Sequence, residues 1–417
     1  MSVRNDHAGR IRRRRVFYIP GYDPIHPRRY RELYRREGAA QAAISGYEIA
    51  LKPKRGDGNY GWSVNALIDN VEVVTEVEVL VWSDIVRASM KGSIPATYAQ
   101  LFRTASIYIS TGALARLMRL RKGPVIAALY PVAMLLLQLA LALSVGFGLG
   151  RMISAAVATL LPTLPDWGAI LVLLAVMFPV SWAILEWFRR KDGKFFAYYL
   201  MHDYAYAAAT RGANPAELED RMSEFGATIA AALQSEVDEV LIVGHSSGAH
   251  IGVSVLADLI RAGKVSQNGP KLAFLSLGQV VPMVSFLPEA ARLRGDLRYL
   301  SARSELAWVD VTAPGDGCAF ALCDPVSVSG VAPPDKRWPL VFSAAFTRSL
   351  SAERWKALRW RFFRLHFQYL CAFDRPRDYD YFQITAGPLS LAARYADRAP
   401  SKSRIDHVVS GHTSIAA

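Results

Sequence analysis

Cysteine is scarce in this chain of 417 residues: Cys318, Cys323 and Cys371 are its only three. They are too few for a disulfide framework, and no C-x-x-C pair suggests structural zinc. The simplest setting is a reducing compartment. Charge is sparse too, at 20% of residues, and acids are outnumbered by 49 Lys and Arg to 36 Asp and Glu. A net charge of +13 points to an anionic partner. No nucleic-acid recognition motif accompanies it, so a phospholipid surface is the expected partner and nucleic acid is not. Nothing before residue 120 resembles a signal peptide, because the arginine-rich start has no apolar core. No internal repeat is evident.

Apolar residues are abundant, at 52%, and concentrated mid-chain. No charge occurs from Gly123 to Gly150, which is longer than the ~20 residues that cross a hydrocarbon core. A second uncharged stretch runs from Trp167 to Leu185. Pro131 and Pro179 are tolerable in membrane helices. A transmembrane hairpin is expected, with spans at about 124–147 and 167–188. Arg116, Arg119, Arg121 and Lys122 precede it, and Arg189, Arg190, Lys191 and Lys194 follow. The connection carries only Arg151 and Asp166. The positive-inside rule then places both flanks, and with them both termini, in the cytoplasm. The expected address is an integral membrane protein of a bacterial inner membrane. The apolar connector 152–165 suits the interface.

Residues 1–40 hold eleven arginines against four acids, including Arg12–Arg15. Beside a hairpin, such a basic arm suggests contact with anionic head groups. Residues 351–371 read as one helix with Trp355, Leu358, Phe362, Leu365 and Tyr369 on a shared face. Its basic residues Arg354, Lys356, Arg359, Arg361 and Arg364, mixed with Trp355 and Trp360, suit a membrane surface as well as a solvated face.

Strand signals occur at 16–20, 72–81, 237–243, 271–277 and 306–312, with a further candidate at 339–346. Helical patterns lie at 28–44, 215–234 and 249–262. This alternation predicts an α/β fold with a mainly parallel sheet. Where the strand 237–243 meets the next helix stands Gly244-His245-Ser246-Ser247-Gly248. The G-x-S-x-G pattern alone is weak, but a strand running in and a small-residue helix running out give it force. A serine on such a turn needs strained backbone angles, and the glycines let neighbouring backbone pass.

Here the chain resembles the α/β-hydrolase superfamily, particularly lipase-like serine esterases with a G-H-S-x-G elbow. The likeness covers roughly 16–85 and 215–375, with the hairpin as an insertion. It implies a mainly parallel sheet with helices on both faces. It also implies Ser246 as nucleophile, the Ser247 amide as one oxyanion donor, and an acid and a histidine later in the chain. The loop Ile19-Pro20-Gly21-Tyr22-Asp23 fits the second donor, the Tyr22 amide. Asp316, in the turn after strand 306–312, is the expected acid, with Asp324 as the alternative; Asp310, inside the strand, reads as structural. His366 is the expected base. His250 is expected to point away, and His407 and His412 to be solvated. The blocks expected are therefore 1–115, the hairpin 116–194, 195–399 with the elbow, and a flexible tail 400–417. The implied activity is hydrolysis of a carboxylic ester, of lipid or acyl type, without metal or cofactor. A catalytically silent scaffold of the same fold is the rival reading; uncharged spans argue against a transporter.

Overall fold

A computed structural model of the chain describes residues 10–54 and 58–416. The first nine residues, including Arg4 of the basic arm, lie outside the described residues. The chain forms two compact units.

The first unit comprises Met1–Ala88, Tyr108–Val125 and Thr210–Ala417. It holds one eight-stranded sheet. Its strands are β1 Arg13–Ile19, β2 Glu48–Pro53, β3 Gly61–Ile68, β4 Val71–Val79, β5 Glu239–His245, β6 Lys271–Leu277, β7 Leu306–Thr312 and β8 Leu340–Ser343. The spatial order is β2-β3-β4-β1-β5-β6-β7-β8. The pairs β2–β3 and β3–β4 are antiparallel, and all others are parallel. Every residue of β5 and β7 is buried, as strands covered on both faces require. Tyr18 packs beside Tyr30 of the helix Arg28–Ser45. The next residue, Ile19, points to the opposite face, where Gly252 of the helix Gly248–Arg261 approaches it and Phe274. Helices therefore cover both faces. Chain connections leave β1 and β5 toward opposite edges of the sheet, which makes their shared carboxyl ends a topological switch point, where open α/β sheets bind ligands.

Three expectations need correction. The arginine run 12–15 is not a uniformly exposed patch. Arg14 is buried and donates to Glu239 at 2.6 Å and to the Gly387 and Leu389 carbonyl oxygens. Arg15 pairs with Glu78, and the Arg12 and Arg13 amides donate to Asp238. Strand alternation and distant acids take up Arg14 and Arg15, while the Arg12 and Arg13 side chains stay exposed. The expected flexible tail is tied down between Ile405 and Ser414: Asp324 N donates to Ile405 O, Ser410 N to Val328 O, and Arg294 Nε to Ser414 O at 2.6 Å. Residues 351–371 are broken into Ala352–Leu358, Phe362–His366 and a 3-10 turn Phe367–Leu370.

The second unit comprises Ser89–Ile107 and Ile126–Ala209. It contains most of the helix Lys122–Leu160 and all of Asp166–Arg190, both long and apolar enough to cross a membrane. The first helix continues through much of the expected connector. Only 28% and 17% of their most apolar windows are buried, so large side chains such as Leu137, Phe147, Phe178 and Trp182 lie uncovered. The two helices meet at small residues. A Cβ on Gly150 would lie 2.8 Å from the Leu173 carbonyl oxygen, and Ser181 Oγ donates to Ala142 O at 3.0 Å. Close approach through small residues and interhelical hydrogen bonds suits packing in lipid.

Candidate active site

Strand β5 ends in a bend at Ser246, whose φ is +57°. Few non-glycine residues occupy this left-handed region, and such strain is held only where the surroundings impose it. The surroundings here are backbone. A Cβ on Gly248 would collide with the Ile19 carbonyl oxygen and lie 2.7 Å from that of Pro20. A Cβ on Gly244 would lie 2.7 Å from Gly248 O. From the other side Gly21, just past β1, abuts the serine: a Cβ there would be 2.9 Å from Ser246 Cβ and 3.3 Å from Ser246 Oγ. The Ser246 amide donates to Leu277 O, at the end of β6, at 2.9 Å. Ser246 is partly exposed.

The loop after β1 is braced independently. Trp82 Nε1 donates to Pro20 O at 2.9 Å. Asp23 accepts from the Ile25 amide, Arg29 and Tyr30. Tyr22 is buried with its ring edge-on to Trp82. Ser247 begins the helix Gly248–Arg261, and first-turn amides of a helix have no intrahelical acceptor.

Beyond the end of β7 lies Asp316, and His366, the last residue of the short helix Phe362–His366, donates from Nδ1–H to Asp316 Oδ2 at 2.7 Å. Both residues are buried. Asp316 also accepts from Tyr369 OH at 3.0 Å and from the Cys318 amide at 2.9 Å. Burial opposes its ionisation, but the His366 ring and these donors outweigh burial and hold the carboxyl below its usual range. The alternative acid, Asp324, is not brought to His366. It caps a short helix through the Val326 and Ser327 amides and pairs with Lys336 at 2.5 Å. Asp310 accepts from Ser276 Oγ at 2.6 Å inside the sheet, and burial pushes its carboxyl up to about 8.

His366 and Ser246 converge on one peptide. The serine amide bonds Leu277 O, and the next residue, Gly278, has φ +53° and faces the imidazole. A Cβ on Gly278 would lie 3.1 Å from His366 Cε1 and 2.7 Å from Tyr369 Cε2. Three supporting residues escaped the sequence reading: Gly278, Tyr369 and His245. His245 Nε2–H donates to the His366 carbonyl oxygen at 3.0 Å, and the two rings lie 4.7 Å apart. Burial, then the neighbouring His366, pulls the His245 imidazole down to about 3, so it is neutral. Its place before the elbow serine was visible in sequence; its partner 121 positions away was not. His250 is likewise pulled down by burial, to about 4. His407 is exposed, and His412 is half-buried near Thr111 O.

Ligand-type atoms of Asp316, Cys318 and His366 lie within 4.8 Å of one another, a spacing that could hold a metal ion. The donors already filling the Asp316 carboxylate favour the hydrogen-bonded arrangement instead. Comparisons with protein-family models, curated proteins and solved structures find no match to this chain.

Proposed function

We propose that this chain is a membrane-anchored serine hydrolase of α/β-hydrolase type that cleaves a carboxylic ester through Ser246, His366 and Asp316. The observation that carries the reading is the strained Ser246 at the switch point, beside the strand end that faces a buried His366–Asp316 pair. With Nδ1–H committed to Asp316, His366 Nε2 is left as the base. It takes the Ser246 proton as Oγ attacks the ester carbonyl carbon. The amides of Ser247 and Tyr22 hold the developing oxyanion. Collapse breaks the bond to the alcohol, which leaves with the proton from His366. Water, deprotonated by the same nitrogen, then cleaves the acyl-serine. Asp316 stays ionised and stabilises the transient imidazolium.

The two long helices supply the anchor. Basic flanks at 116–122 and 189–194 put the sheet unit on the cytoplasmic side. Proximity to lipid makes an ester of lipid or acyl type the substrate class. Labelling by a fluorophosphonate probe tests the proposal. Wild-type protein should label, and Ser246→Ala should abolish labelling. Folded wild-type protein that stays unlabelled would leave a silent scaffold in a membrane.

A further inference from the structure

We infer that the segment Lys356–Arg364 docks on the anionic head-group layer of the bilayer. This rests on the membrane-spanning half of the reading above, and not on hydrolysis. Trp360 is 73% exposed on this turn and Phe362 47% exposed, with one edge of the Phe362 ring against Gly317. Lys356, Arg359, Arg361 and Arg364 are all exposed around them. Between Ala352 and Phe373 the only acid is Glu353. Among the described residues, none of these four cations has a carboxylate within ion-pair distance, whereas Arg13, Arg14 and Arg15 of β1 all do. The Arg359 guanidinium lies 5.6 Å from the centre of the Trp360 ring. An aromatic body beneath a cationic head suits the boundary between acyl chains and head groups.

Position argues for the bilayer over any other anionic partner. The Phe362 ring lies 3.2 Å from where a Gly317 Cβ would stand. Gly123, in the first turn of the helix Lys122–Leu160, packs against the same Gly317, with a Cβ position 3.5 Å from its Cα. Lys122–Val125 belong to the sheet unit, so Phe362 stands beside the first turn of the apolar helix. At the other end of the one-turn helix Phe362–His366, Leu365 and His366 are buried, which holds the outer end in a fixed place.

Limited trypsin digestion of the full chain in nanodiscs tests this. Cleavage after Lys356, Arg359, Arg361 and Arg364 is followed by mass spectrometry in pure phosphatidylcholine and with one-third phosphatidylglycerol. The anionic discs should slow cleavage at least about tenfold, since each basic residue near such a surface gains roughly fivefold in association and the segment carries four. Trp360→Ser, at an exposed position, should lose most of that protection. Equal rates in both compositions, or full protection in Trp360→Ser, would overturn the docking proposal. Fluorophosphonate labelling of the same samples reports separately on the hydrolase reading.

Discussion

The serine side and the histidine side of the site are built by different means. On the serine side, geometry comes from main chain pressed against main chain: Gly21, Gly244 and Gly248 admit the backbones of β1 and the elbow into contact. On the histidine side, geometry comes from side chains reaching across the sequence: Asp316 and His245 bond His366, and Tyr369 bonds Asp316. The first kind of construction is local and tolerates no added atom. The second is distributed, and individual contacts can be weakened by degrees.

The largest expected effect tests the distributed side at its centre. Asp316→Asn should lower turnover by about 10⁴, because the imidazole loses the partner that fixes its tautomer. Asp324→Ala should instead weaken the fold by about 1–2 kcal/mol through a lost cap, with turnover retained. Steady-state kinetics beside thermal melts separates them; the reverse pattern would reassign the acid. On the local side, Gly248→Ala should destabilise by roughly 3 kcal/mol or more, since its Cβ meets fixed carbonyl oxygens. Gly226→Ala, in the helix Ala216–Leu233 with open space around it, should be neutral or gain up to about 1 kcal/mol. Denaturant titration of the pair checks the contrast. Tyr369→Phe removes one of several donors to Asp316 and should cost about tenfold in turnover. A loss as large as that of Asp316→Asn would mean the histidine side is as intolerant as the serine side.

The last effect appears only with pH. The Asp310 carboxyl is raised in the folded chain to about 8. The unfolded chain gives up this proton near pH 4 and the folded chain holds it longer, so stability falls as pH rises from about 4 to about 8. Asp310→Asn should flatten that slope, with a melting temperature that gains on wild type toward pH 8. Parallel melting curves across this range would count against a protonated Asp310.

These contrasts also explain what could be read from the sequence. Central strands such as β5, β6 and β7 are predominantly apolar, with long runs such as Val240–Val243, so the sheet centre and the strand-to-helix bend were legible. The edge strand β2 was not, because Glu48–Pro53 lacks a buried face. β3 alternates buried Trp62, Val64, Ala66 and Ile68 with outward residues, a signal that was present and missed. The break in 351–371 has a geometric cause. Trp355 packs on Gly315 and Phe362 on Gly317. A continuous helix would separate those two aromatics by about 10 Å along its axis, while residues two apart span at most about 7 Å. Periodicity records which residues face inward, but not the size of the surface that receives them. Likewise Arg12–Arg15 reads as a polybasic patch until Glu78 and Glu239 arrive from distant strands.

The four strands before the long helices and the four after them lie side by side, joined in the sheet along the single seam between β1 and β5. The Arg14 side chain fastens that seam, reaching Glu239 and the carbonyls of residues 387 and 389. A protease nick in the turn 161–165 would therefore sever the polypeptide without parting the sheet. Two fragments made as separate polypeptides in one cell are expected to associate and co-purify as a split protein; independent elution would show that covalent continuity is needed.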